Sequence, residues 1–146
     1  MNEQAQQVSI QKLFSVSRDE LYKAWTEENQ LKQWWRPMDK ELVSVENEIQ
    51  EGGTVVYTFS NDLKIQGEYK EVQPGQRLVY SWIWELPEDS HHKGEYLLTV
   101  LFNNKDNGSE LQVTQENFKN EHSIQPHQDG WEQALENLTA FLDKIK

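Results

Sequence analysis

The sequence predicts an α+β domain in which a curved antiparallel sheet wraps a long C-terminal helix, with two short helices after the first strand. Three observations predict it. Short alternating segments separated by turn signals fill the middle of the chain, a helix-capping pattern follows the first such segment, and near Gln125 the apolar period changes from that of a strand to that of a helix.

Residues 7–16 alternate as a strand does. Ser17-Arg18-Asp19-Glu20 then reads as a capping box, the Ser hydroxyl taking an orphan amide, and the following helix turns Leu21, Tyr22, Ala24 and Trp25 to one side. Asn29 is placed to cap a second short helix holding Leu31, Trp34 and Trp35, which Pro37 stops. Six strands follow: Glu41–Ile49, Thr54–Ser60, Leu63–Val72, Gln76–Trp84, Glu95–Phe102 and Ser109–Asn117. Gly52-Gly53, Asn61-Asp62, Pro74-Gly75, the loop Leu86–Gly94 and Asn107-Gly108 separate them. Pro74-Gly75 suits a type II turn, because glycine takes the positive φ at its third position. Asn107-Gly108 is a hairpin signal, and successive hairpins make an antiparallel meander. From Gln125 onward Trp131, Ala134, Leu135, Leu138, Phe141, Leu142 and Ile145 form one stripe, while Glu132, Glu136 and Lys144 face away. Neither a repeat nor a linker divides the chain, so 1–146 reads as one domain. A sheet of this many strands curls, and one helix cannot cover all of its concave face, so a cavity between them is expected.

Composition narrows the function classes. The 25 acidic residues exceed the 14 basic ones, for a formal charge of −11, and no Lys/Arg cluster exists. Nucleic acids and anionic membrane surfaces are therefore not expected partners. With no Cys, no disulfide or thiolate chemistry is possible. Met1–Val8 lacks the pattern of a signal peptide, and the longest apolar runs, such as Leu97–Phe102, are strand-sized, so we expect a cytoplasmic protein. The six Trp supply large apolar faces with a single donor each, suited to a core or to a pocket for flat ligands.

Several segments carry a resemblance. They run from Val16-Ser17-Arg18-Asp19-Glu20-Leu21-Tyr22-Lys23-Ala24-Trp25-Thr26 through Leu31-Lys32-Gln33-Trp34-Trp35 to Gly52-Gly53 before Tyr57 and Phe59. Next come Gly67-Glu68-Tyr69-Lys70-Glu71-Val72-Gln73-Pro74-Gly75-Gln76-Arg77-Leu78-Val79-Tyr80-Ser81-Trp82, then Phe118 ahead of a helix with Trp131 and Leu138. In this order, over nearly the whole chain, the sequence resembles the START-like helix-grip (SRPBCC) superfamily. Within it, the chain is similar to the family of the C-terminal domain of the activator of heat shock protein ninety ATPase. The resemblance implies a helix-grip fold and a domain of the kind that holds lipids, polyketides or aromatic compounds. A minority of that superfamily are cyclases or ring hydroxylases. The activator itself has a further N-terminal domain, so its co-chaperone role is not carried over.

Strand parity names the candidate pocket. Val55, Tyr57 and Phe59 share a face, as do Leu78, Tyr80, Trp82 and Trp84, then Leu98, Val100 and Phe102, then Leu111 and Val113. Of these we take Tyr57, Phe59, Tyr80, Trp82, Trp84, Val100 and Phe102 as ligand-binding, with Trp131 and Leu135 closing the space from the last helix. For any one of them, simple core packing explains its character as well. Trp25 is placed under the first helix, apart from this set. Of Trp34 and Trp35, one ring is expected to pack inward and the other to cover an apolar edge.

Catalytic chemistry finds little support. There is no Gly-x-Ser-x-Gly elbow, and Gly52-Gly53 lacks phosphate-loop spacing. Strict alternation would turn one of Glu68 and Glu71 inward as an acid or base, though both read better as charges on a solvated edge. His91 and His92 beside Glu88 and Asp89, and His122 and His127 beside Glu121 and Asp129, lack metal-ligand spacing. We expect no metal and no cofactor. The expected partner is a small apolar or aromatic molecule, with a cyclase- or hydrolase-type enzyme, or an interaction module like the chaperone ATPase activator, as the alternatives.

Overall fold

A computed structural model describes residues 7–36, 40–60, 63–85, 94–117 and 124–145, the side chains of Glu85, Gly94 and Ile145 excepted. Strand β1 (Val8–Phe14) leads into α1 (Arg18–Thr26) and α2 (Glu28–Trp34). Six strands follow: β2 (Leu42–Asn47), β3 (Thr54–Phe59), β4 (Lys64–Gln73), β5 (Arg77–Glu85), β6 (Gly94–Lys105) and β7 (Gly108–Glu116). Helix α3 (Ile124–Ile145) is the last of the described elements. The expected order of elements is the observed one, and the fold is the helix-grip α+β arrangement.

The seven strands form one curved antiparallel sheet in the order β1-β7-β6-β5-β4-β3-β2, a meander closed by the return of β1 to β7. Local sequence explains its joints. The Ser17 hydroxyl accepts the Glu20 amide at 3.1 Å, the first half of the expected capping box. The Gln76 amide donates to the Gln73 carbonyl at 2.9 Å, with Gly75 at φ +76°, as a type II turn requires. The β6–β7 hairpin turns on Asp106-Asn107, closed by the pair Lys105 and Gly108, one residue earlier than Asn107-Gly108 suggested. Asn29 does not cap α2: the helix starts at Glu28 after Glu27, which makes no side-chain capping bond.

Alternation puts the large apolar residues on the concave face. Val55, Tyr57 and Phe59 of β3, Leu78, Tyr80, Trp82 and Trp84 of β5, and Leu98, Val100 and Phe102 of β6 are all buried. Across the ladder, Tyr69, Tyr80, Leu98 and Gln115 stand in one row. A bulge between Tyr69 and Glu71 breaks the parity of β4. It returns Glu71 to the outer surface, where it pairs with Arg77 at 3.2 Å, while Glu68 pairs with Lys70 at 3.4 Å. Neither carboxylate enters the interior, which agrees with the solvated-edge reading.

Helix α3 lays Trp131, Ala134, Leu135, Leu138 and Leu142 against the sheet, packing on β1 and α2. Pro126 falls in its first turn, where a missing amide hydrogen breaks no helical bond. Leu138 is fully buried, so Leu138→Ala should cost about 2–5 kcal/mol. A denaturant midpoint that barely moves would mean that the stripe does not carry the packing.

Candidate functional site

The interior is organised by tryptophan. Five of the six Trp form a closed ring of contacts drawn from α1, α2, β5 and α3 and from Trp35, just beyond α2. Trp35 stacks on Trp82 at 5.5 Å between centroids, and Trp82 meets Trp131 at 6.0 Å. Trp131 stacks on Trp25 at 5.8 Å and 13°, Trp25 meets Trp34 at 5.6 Å, and Trp34 returns to Trp35 at 6.4 Å. Tyr57 and Phe59 set their edges against Trp35, and Tyr80 sets its edge against Trp82. Edge-on and offset contacts of this kind suit the ring quadrupoles.

Both rings of the Trp34-Trp35 pair are buried, at 1% and 5% exposure, against the expectation that one would cover an edge. The reason is local. Trp34 is the last residue of α2, and Trp35 is already extended (φ −95°, ψ 106°), so the two side chains escape the divergence of neighbours on a helix. Trp34 is fixed by donating its Nε1–H to the Ala24 carbonyl at 2.9 Å.

Between Trp25, Leu31, Trp34, Trp35, Tyr57 and Trp82 run narrow crevices, none wide enough for a water. Of the residues expected at the site, Tyr57 and Trp82 border this space, while Phe59, Tyr80 and Trp131 touch the rings that do. Phe102 packs edge-on to Trp25, and Val100 and Leu135 are buried in the surrounding core. Trp84 stands apart, its ring against His127. Trp25, Leu31, Trp34 and Trp35 were not in the expected set. Parity sorts the residues of a strand, but it does not show which helical rings reach the sheet.

Hydrogen bonding inside is almost complete. Trp25 donates its Nε1–H to the Tyr80 hydroxyl at 3.0 Å, and the Tyr57 hydroxyl bonds to the same group. The Tyr69 hydroxyl donates to Asn47 Oδ1 at 2.6 Å. Burial pushes the Tyr80 hydroxyl up to about 12, the bonds from Trp25 and Tyr57 holding it back; it pushes Tyr69 higher still and Tyr57 well above its ordinary value. Trp131 donates to Gln115 Oε1 at 2.7 Å. An indole can only donate, so this fixes the amide with its NH₂ toward His127 Nδ1, 3.3 Å away, and makes that ring nitrogen the acceptor. His127 lies in the first turn of α3 and is buried.

Not every buried polar atom is paired. Trp82 Nε1 is buried, borders the crevice and has no hydrogen-bond partner among the described residues. Among those residues no Asp, Glu, Lys or Arg is buried, and no group of His, Asp and Glu could hold a metal ion. His91, His92, Glu88, Asp89, Glu121 and His122 lie outside the described residues. A wider, open concavity beside the β6–β7 turn and the end of α3 is lined by Leu13, Phe14 and Leu142 together with Lys105, Asp106, Asn107 and Asp143, so it mixes apolar and charged surface. Among the described residues, no helix is long and apolar enough to cross a membrane.

A family profile described as Activator of Hsp90 ATPase homolog 1-like protein matches residues 15–143. The chain belongs to this family. Solved structures share the fold. MLL2253 from Mesorhizobium loti superposes with a TM-score of 0.80 at 19% identity, over 96% of this chain and 98% of its own. NE0264 from Nitrosomonas europaea gives 0.80 at 14% identity, over 100% and 99%. DynU16, a protein in the dynemicin biosynthetic locus, gives 0.79 at 16% identity, over 97% of this chain and 48% of its own. At such identities these likenesses speak to the fold alone. No curated protein matches the chain. The family and the fold are those the sequence resemblance implied.

Proposed function

We propose that this chain binds a small apolar or aromatic molecule, enclosing it between the concave face of the sheet and α3. The observation that carries the reading is the closed ring of five Trp, four of which border a crevice with no charged side chain. Flat apolar rings gain both buried area, at roughly 25 cal/mol per Å², and oriented stacking there. The presence of a protein of this fold in a biosynthetic locus is consistent with small-molecule traffic. Binding is by encapsulation, with Tyr57 or Tyr80 available to orient a polar tip. The crevice is narrow, so a ligand has to part the rings. The exposed large apolar residues among those described, Leu13 at 67% and Val43 at 53%, lie on the two opposite edge strands and form no joint patch.

The test is a titration of intrinsic Trp emission, with melting curves, against fatty acids, flavonoid-like aromatics and polyketide-like compounds. A true ligand should change the emission saturably and raise the melting temperature, adding about 2.7 kcal/mol at a hundredfold excess over its Kd. Trp82→Leu and Trp25→Leu should both weaken that response, since both rings border the crevice. A screen with no saturable response would remove the proposal.

A further inference from the structure

Three indoles of the ring have an acceptor for their N–H. Trp25, Trp34 and Trp131 each pass their indole N–H to a named acceptor, at 3.0, 2.9 and 2.7 Å. Trp82 does not, although at 1% exposure it is as deeply buried as any of them. An unpaired buried donor is costly, because it has lost water and gained nothing. Its position is also telling. Trp82 stands in the middle of β5, with Trp35 stacked on one side at 5.5 Å and Tyr57 and Tyr80 edge-on at 5.5 Å each. The narrow crevice runs between Trp82, Trp35 and Tyr57.

We propose that Trp82 Nε1–H is the anchor for the carbonyl oxygen of a planar, uncharged aromatic ligand whose ring takes the place of the Trp35 indole against Trp82. The inference rests on the ligand-binding reading above and narrows it to a class. The anchor must meet an acceptor, because an indole nitrogen offers only a proton. The ligand must be neutral, because no buried Asp, Glu, Lys or Arg among the described residues could compensate a charge. It must be flat, because the faces it slides between are stacked rings. Room comes from Trp35. Its ring is the one carried beyond the end of a seven-residue helix, α2, which packs on α1, α3 and β2. The other stacking faces are carried by α1, β5 and α3 themselves. Trp35 thus fills the site in the free protein as a stand-in for the ligand's ring, but it leaves the Trp82 proton unused.

A matched pair of bicyclic compounds the size of an indole tests this: 1-indanone, which carries a ring carbonyl, and indane, which does not. The chain is labelled with nitrogen-15, and the indole N–H resonances are followed during titration. The Trp82 signal is identified by its loss in Trp82→Phe. If that variant does not fold, it is assigned in the wild type from its proximity to Tyr96, its partner on β6. Indanone should bind about tenfold more tightly than indane, the worth of one added hydrogen bond. It alone should move the Trp82 proton downfield, while both compounds should shift the Trp35 signal. In Trp82→Phe the advantage of indanone should vanish and indane binding should persist. Equal affinities with an unmoved Trp82 proton would overturn the anchor while leaving the ligand-binding reading intact. An unmoved Trp35 signal at saturation would overturn the displacement. Failure of both compounds to bind would overturn the inference, and the reading beneath it falls only if the broader screen is also empty.

Discussion

Gly67→Ala should destabilise the protein by about 3 kcal/mol or more, at the upper end for overpacked sites. Gly67 lies within β4 where that long strand bends against β5, and a Cβ there would overlap the Ser81 carbonyl oxygen of the neighbouring strand. The approach is locked by the Glu68 amide, which donates to the Ser81 hydroxyl at 2.8 Å instead of to the ladder. Backbone stands against backbone, so no side-chain rotation can relieve the overlap. Glycine is required here for closeness rather than for an unusual φ. Gly130 is the matched control. It sits inside α3 with nothing within 4 Å of an added Cβ, so Gly130→Ala should stabilise by about 0.4–1 kcal/mol through helix propensity and unfolded-state entropy. Urea midpoints measured side by side check both signs. A mild effect at Gly67 would mean that the β4–β5 bend relaxes freely.

The second large effect is alkaline unfolding. All five Tyr are raised above their ordinary value, burial being the first cause in each. An unfolded tyrosine ionises near about 10, whereas buried Tyr80 holds its proton to about 12. Below pH ~10 the folded and unfolded chains carry the same phenolic protons and the stabilisation is complete. Above it the unfolded chain loses protons that the folded chain keeps, so stability falls as pH rises. Two units at Tyr80 alone correspond to about 3 kcal/mol lost by pH ~12. Tyr69, raised further, extends the loss above that point, and Tyr57, also raised by burial, adds to it. Tyrosinate absorbance should therefore rise together with the loss of far-ultraviolet dichroism, in one cooperative step. Tyrosinate forming near pH 10 while the fold persists would show that water reaches these hydroxyls.

The sheet could be read from the sequence because its rules are local. The alternation in Val55-Val56-Tyr57-Thr58-Phe59 assigns faces without knowledge of the neighbours, and Pro74-Gly75 carries its turn in two residues. The stripe from Trp131 to Leu142 fixes the buried side of α3 in the same way. What could not be read depends on partners distant in sequence. Nothing near Lys70 announces the bulge that turns Glu71 outward, since it arises from fitting β4 to β5. The extended backbone of Trp35, which sends two successive rings inward, lies at a helix end that a pattern of apolar residues does not resolve. The same holds for Trp25, which faces Trp131 across more than a hundred residues of chain. The half of the candidate site built on strands was therefore legible. The half contributed by α1, α2 and Trp35 was not.

The tryptophan ring has an optical consequence. Chromophores at centroid separations of 5.5–6.4 Å exchange excitation faster than they emit, so these five indoles share one excited state before any photon leaves. Emission then comes from whichever member is lowest in energy, wherever light was first absorbed, and its polarisation is lost within the ring. A quencher touching any single indole darkens all five, and replacing one shifts the colour of the rest. The interior thus works as an antenna, and the identity of the emitting residue says little about which residue the bound molecule touches.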